Sequence, residues 1–135
     1  MIVTPAPYSH AWLALPVAYV TQVAEALGPR VLQWWDDPYD PRDATLRLVD
    51  GTALVWDEES GWRHGRFFRG EKGIRTELEA ARYLGGGVLP SPADVIDLLD
   101  DAEYGSPARI GYRSFKDLRD GFDEELAAYA VTVSL

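Results

Sequence analysis

TLRLVDGTALVWDEESGWRHGRFF, Thr45 to Phe68, is the stretch whose reading decides the fold of this chain. Apolar and polar residues alternate along it and each run closes on a glycine-bearing turn, the pattern of two or three antiparallel strands. The first turn admits two registers. A two-residue loop at Asp50-Gly51 sets Leu46 and Leu48 beside Ala53 and Val55. A three-residue loop, Val49-Asp50-Gly51 with Gly51 left-handed as a bulge, sets them beside Leu54 and Trp56 instead. The second register is favoured because it gathers the larger side chains on one face, and a slip of one residue would turn every side chain over. Glu59-Ser60-Gly61 then reverses the chain into Trp62.

Before this stretch, residues 1–9 hold two prolines and no sustained period and read as an extended arm. From Pro16 to Leu27 the residues Val20, Val23, Ala24 and Leu27 fall at helical spacing, and Gly28-Pro29 stops the helix. Val31 to Trp35 reads as a strand, and Asp36 to Asp43 as a loop by composition. After it, Ile74 to Leu84 is rich in helix formers and is expected to be helical. Ser91 caps the next helix, with Pro92 at its first position and Asp94 completing an S-x-x-D box, so a helix is expected from Pro92 to about Ala102. The same box at Ser114 to Asp117 predicts a short helix to Arg119 or Asp120. The valines of Leu126 to Leu135 favour a final strand over a helix. The expected fold is α+β: an antiparallel sheet of about four strands, with an N-terminal helix and later helices packed on one face.

A chain of 135 residues suits one domain. With no cysteine, disulfides and sulfur-ligated metals are excluded and a reducing cytosol is suited. Neither a signal peptide nor a membrane span is expected, because no lysine or arginine precedes Arg30 and Pro16 interrupts the apolar run from Trp12 to Val20. The expected setting is cytoplasmic. A net charge of -9 opposes general nucleic-acid binding. The charge is segregated: Arg63, Arg66, Arg69, Lys72 and Arg75 against Glu71 make a local +4, leaving -13 for the remainder.

Trp56-Asp57-Glu58 with Gly61-Trp62-Arg63, the helix end Glu25-Ala26-Leu27-Gly28, and Leu84 to Pro92, LGGGVLPSP, together resemble a group of small acidic actinobacterial proteins of unknown function. The resemblance covers roughly Val17 to Leu99, within a core at 17–103, and leaves residues 104–135 as a C-terminal extension. It implies a bacterial origin and a self-contained domain, and it carries no catalytic residues across.

The first candidate site joins Trp56, Asp57, Glu58, Glu59, Trp62, Arg63 and His64. An imidazole near carboxylates suits a general base with an acidic orienter, and tryptophans suit a planar ligand. The plainer alternative is that the acids serve a turn, Trp56 fills the core and His64 pairs across strands. The second candidate is the run from Trp62 to Arg75, where arginines interleave with Phe67 and Phe68 and suit an anionic partner. Strand alternation separates Arg63 from Arg66 and Phe67 from Phe68, and edge charges also deter aggregation. Gly85 to Gly87 lacks the lysine and hydroxyl residue of a phosphate loop. The acidic helix face Asp94, Asp97, Asp100 and Asp101, with Glu103, lacks converging ligands for a cation. Trp34-Trp35 is a further recognition candidate, though alternation turns one of the two toward the core.

The leading expectation is a non-enzymatic binding module, of regulatory, adaptor or immunity type, recognising another protein through the second face of the sheet with Trp56, Trp62, Arg63, His64 and Arg66, and needing no cofactor or metal. The alternative is a small enzyme or ligand-binding domain with a helix-sheet pocket using His64 with Asp57 or Glu58. A third reading is an acidic mimic of nucleic acid.

Overall fold

A computed structural model describes residues 4–37, 40–101, 103 and 105–133. Ser9 caps a short helix α1 (His10–Leu13), its hydroxyl accepting from the Trp12 amide at 3.2 Å. Pro16 then opens α2 (Val17–Leu27), where a fixed φ of -66° suits a helix start. The periodic residues Val20, Val23, Ala24 and Leu27 are buried as their spacing implies, and Gly28 ends the helix at φ 57°. A single 3-10 turn at Gly28–Arg30 leads into the sheet.

The sheet has five antiparallel strands in sequential order: β1 (Val31–Asp37), β2 (Asp43–Leu48), β3 (Thr52–Asp57), β4 (Gly61–Glu71) and β5 (Ile74–Tyr83). The favoured register of the first hairpin is the one observed. Leu46 faces Leu54 and Ala44 faces Trp56, across a three-residue loop in which Gly51 takes φ 89°. At the second turn Asp57 Oδ1 accepts the amides of Glu59 and Ser60, each at 2.8 Å, which pins the reversal into Gly61. Gly61 itself has no alternative. Its φ is 71°, and a Cβ there would lie 2.6 Å from the Gly87 carbonyl oxygen.

Three expectations from the sequence are overturned. Ile74 to Leu84 is β5 and not a helix, which makes five strands where about four were expected. Helix propensity is a weak preference, and the tight turn at Gly73 lets Leu78 pair with Phe67 and Glu77 with Arg69 along an already formed β4. The C-terminal segment is α4 (Phe122–Val133) and not a strand. Phe122, Leu126 and Tyr129 share a helical face against the core, and Asp123, Glu124 and Glu125 occupy the first turn, where the dipole favours acids. Ser134 and Leu135, part of that expectation, lie outside the described residues. Ser114 to Asp120 forms turns instead of a short helix: the Ser114 hydroxyl accepts the Lys116 amide, and Arg113 binds the Asp117 carbonyl.

Ser91 does cap α3 (Pro92–Asp100), accepting the Asp94 amide at 3.1 Å. The helix stops at Asp101, and Ala102, its expected end, lies outside the described residues. One face of the sheet, bearing Leu46, Leu54, Trp56 and Trp62, packs against α2, α3 and α4. Tyr19 of α2 ties this core to the loop before α3, accepting from Trp62 Nε1 at 2.9 Å and donating to the Pro90 carbonyl at 2.5 Å. Among the described residues no helix is long and apolar enough to cross a membrane.

The second face is also covered. β3 pairs with β4 only as far as Arg66, so β4 and β5 continue past it, and register shifts between His64 and Arg66, Phe67 and Arg69, and Arg69 and Glu71 bend the hairpin. The hairpin curls over the sheet until Thr76 Oγ1 lies 2.6 Å from Thr45 Oγ1. Thr45, Ala53 and Val55 are consequently buried on the side away from the helices.

Candidate functional site

The seam beneath the curled hairpin is polar. Asp37, Asp43 and Asp57 pair directly across three neighbouring strands, which sets their side chains in a row on one face. Carboxylates at strand spacing repel one another, and each is answered by a donor. Gly73 N–H donates to Asp37 at 2.7 Å, Arg75 to Asp43 at 2.7 Å, and the Ser60 hydroxyl and Arg63 to Asp57 at 2.5 and 3.1 Å. Asp43 is the most perturbed of the three. Burial pushes its carboxyl up to about 7, Arg75 and Arg63 oppose that rise, and Asp37 and Asp57 add to it. No group of three or more His, Asp or Glu among the described residues could hold a metal ion.

The charge segregation of the sequence is thereby explained within the chain. Arg63 pairs with Asp57, Arg69 with Glu77, Lys72 with Asp36 at 3.3 Å and Arg75 with Asp43. Among the described residues Arg66 is the one cation of the basic run without a carboxylate in ion-pair range. Acids of β1 to β3 thus engage Arg63, Lys72 and Arg75, Glu77 of β5 engages Arg69, and the run is not one open anion-binding patch.

The residues singled out from the sequence are dispersed. Trp56 and Trp62 are fully buried in the helix-side core, with the Trp56 indole donating to the Val88 carbonyl at 2.8 Å, so neither is available to a partner. Their size and alternation fitted the core as well as a surface. Arg63 faces the seam and is held by Asp57. His64 pairs with Leu54, on the opposite face of the sheet from Asp57 and Arg63, and its Nε2 lies 2.8 Å from the Thr52 hydroxyl. Burial lowers its pKa, while nearby Asp50 acts in the opposite direction. The structure therefore does not bring His64 and Asp57 together for proton transfer. Trp34 turns toward the helix-side core and Trp35 toward the seam, so they do not act as an exposed pair.

Glu58 belongs to a different cluster, at 0% exposure. It receives the Arg42 amide at 2.6 Å, two guanidinium bonds from Arg42 at 3.0 and 3.1 Å, and one from Arg113 at 3.1 Å. Arg42 also reaches Asp123 of α4 and the Trp12 carbonyl, and its guanidinium lies 3.6 Å from the centre of the Trp12 ring. Every hydrogen-bonding edge of this carboxylate is engaged by Arg42 and Arg113, so none is free for catalysis, and Arg42 carries the link on to α1 and α4. Neither Arg42 nor Arg113 was singled out from the sequence. Both lie in loop-like stretches where only distant partners reveal a role.

What stays open is the outer side of the hairpin. Phe68 is 57% exposed and Ile74 52% exposed, and with Arg69 and Glu71 they border a groove of 390 Å³. The Arg69 guanidinium lies 5.5 Å from the Phe68 ring centre. Residues 19–101 match DUF6292, a family of unknown function. No curated protein and no solved structure matches the chain.

Proposed function

The chain belongs to this family of unknown function, and we propose that it is a non-enzymatic binding module that recognises another protein through the outer side of the β4–β5 hairpin. The observation that carries the reading is exposed Phe68 two positions from exposed Arg66, which makes no ion pair among the described residues although Glu79 stands opposite it on β5, whereas Arg63, Arg69, Lys72 and Arg75 each meet a carboxylate. An aromatic and an arginine two positions apart are the residue types that anchor interfaces. The complementary partner segment offers a carboxylate to Arg66 and an apolar side chain to Phe68. Trp56, Trp62 and Arg63 leave the contact set, because the core holds the first two and Asp57 holds the third. His64 lies at its margin, half-buried beside Thr52. A regulatory, adaptor or immunity role in a bacterial cytoplasm accords with the resemblance to actinobacterial proteins and with the absence of cysteine.

The test places the photo-reactive residue p-benzoylphenylalanine at position 68 of the full chain, expressed in its own host. The expected result is one discrete cross-linked protein that disappears when Arg66→Glu is added. Cross-linking that ignores Arg66→Glu, or no discrete product, overturns the reading.

A further inference from the structure

A second cavity, of 370 Å³, opens at the mouth of the seam, between Gln33, Trp35 and Arg47 on the sheet and Gly70 to Lys72 at the hairpin tip. That volume lies in the range of small-ligand sites. Two residues that line it carry an unmatched polar group. Trp35 Nε1 is a buried side-chain donor without an acceptor among the described residues, a condition that costs about 1–3 kcal/mol. The Arg47 guanidinium is held by Gln33 Oε1 at 3.3 Å and lies 4.1 Å from the Phe67 ring centre, with no carboxylate in ion-pair range among the described residues. A cation already ordered by such contacts loses little further freedom when it takes an anion, and its planar fork matches a carboxylate.

We propose that this seam is a binding site for a small planar monocarboxylate, whose anionic end meets Arg47 and the Trp35 indole N–H while its ring lies against the Trp35 side chain. Trp35, whose side chain turns to the seam face, lines the cavity and provides a flat apolar wall. Glu71 lines it too and sets a like charge across from the ligand, which disfavours a dianion such as phosphate more than a single carboxylate. Lys72, already shared with Asp36, partly offsets that charge. Because the Trp35 N–H is out of reach of solvent, engaging it requires a small displacement of the indole or of the hairpin tip. Neither Arg66 nor Phe68, the proposed partner contacts, lines this site, although Gly70 and Glu71 border both it and the outer groove.

The chain has five tryptophans, so five indole N–H signals report on the intact protein in a ¹H–¹⁵N spectrum. Trp35→Phe identifies the relevant one. Titration with benzoate is expected to move that signal downfield in a saturable way while the other four stay in place. Arg47→Gln should weaken the response about tenfold or more, and Glu71→Gln should tighten it several-fold, as charge-assisted bonding requires. The proposal is overturned by a shift that does not saturate, by equal binding in wild type and both variants, or by inorganic phosphate binding as tightly as benzoate at matched ionic strength. Unchanged signals from the other four indoles report that each variant is folded.

Discussion

Asp43 of β2 and Arg75 of β5 meet at 2.7 Å although β3 and β4 stand between their strands in the sheet. Such a contact requires the sheet to bend back on itself. The basic hairpin closes over an acidic strand end, which turns the sharpest charge contrast in the sequence into an intramolecular joint.

That joint makes stability depend on pH. The Asp43 carboxyl titrates near 3.8 when unperturbed and near 7 in the fold, so the folded chain keeps a proton that the unfolded chain has released. This group's contribution is fully present below about pH 4 and is lost as pH rises through 7. Asp43→Asn cannot lose that proton. The stability of wild type relative to Asp43→Asn should therefore fall between pH 4 and 8, by on the order of 4 kcal/mol. Urea unfolding of both proteins across that range measures it, and parallel curves would show that Asp43 is ionised throughout.

Arg42 and Glu58 are 1% and 0% exposed. Arg42→Met leaves the Glu58 carboxylate buried with fewer donors and should cost about 3–5 kcal/mol. Removing the carboxylate as well, in Arg42→Met with Glu58→Leu, should cost less than the sum of the single changes. A double-mutant cycle by chemical denaturation reads the coupling; additive effects would mean that the pair is not energetically linked.

Gly61 and Gly51 both take positive φ, but only Gly61 faces a carbonyl oxygen where a Cβ would stand. Gly51→Ala should cost about 1–2 kcal/mol, the backbone term alone. Gly61→Ala adds the clash with Gly87 and should cost clearly more, because the loop carrying Gly87 and Val88 also receives the Trp56 indole. Comparison of the two thermal midpoints checks the order.

Leu126 is fully buried on α4. Leu126→Ala should cost about 2–5 kcal/mol, whereas Glu124→Ala, on the exposed side of the same helix, should stay within about 0.5 kcal/mol. Equal effects from the two would place α4 off the core.

Much of the fold was legible wherever local chemistry decides. The three-residue turn at Gly51, the proline-and-glycine limits of α2 and the serine cap of α3 each depend on neighbours a few positions away, and all three are found. The candidate site was less legible. Trp56 and Trp62 carried the right residue types for recognition, but types do not reveal depth, and both went to the core. His64 and Asp57 lie close in sequence and on opposite faces, because they sit on different strands of one hairpin and the pairing Asp57 to Gly61 sets the parity.

The sequence by itself determined the alternation that builds the central hairpins, the helix ends and the charge contrast between the basic run and the rest of the chain. Only the tertiary structure decided that Ile74 to Tyr83 is a strand, that Phe122 to Val133 is a helix and that the second face is covered. Intrinsic preferences differ by less than about 1 kcal/mol per residue between ordinary side chains, and burial against a preformed surface outweighs them. The partners that settle these segments, Asp43 for Arg75 and Thr45 for Thr76, lie 32 and 31 positions away. No local window holds both sides of such a contact.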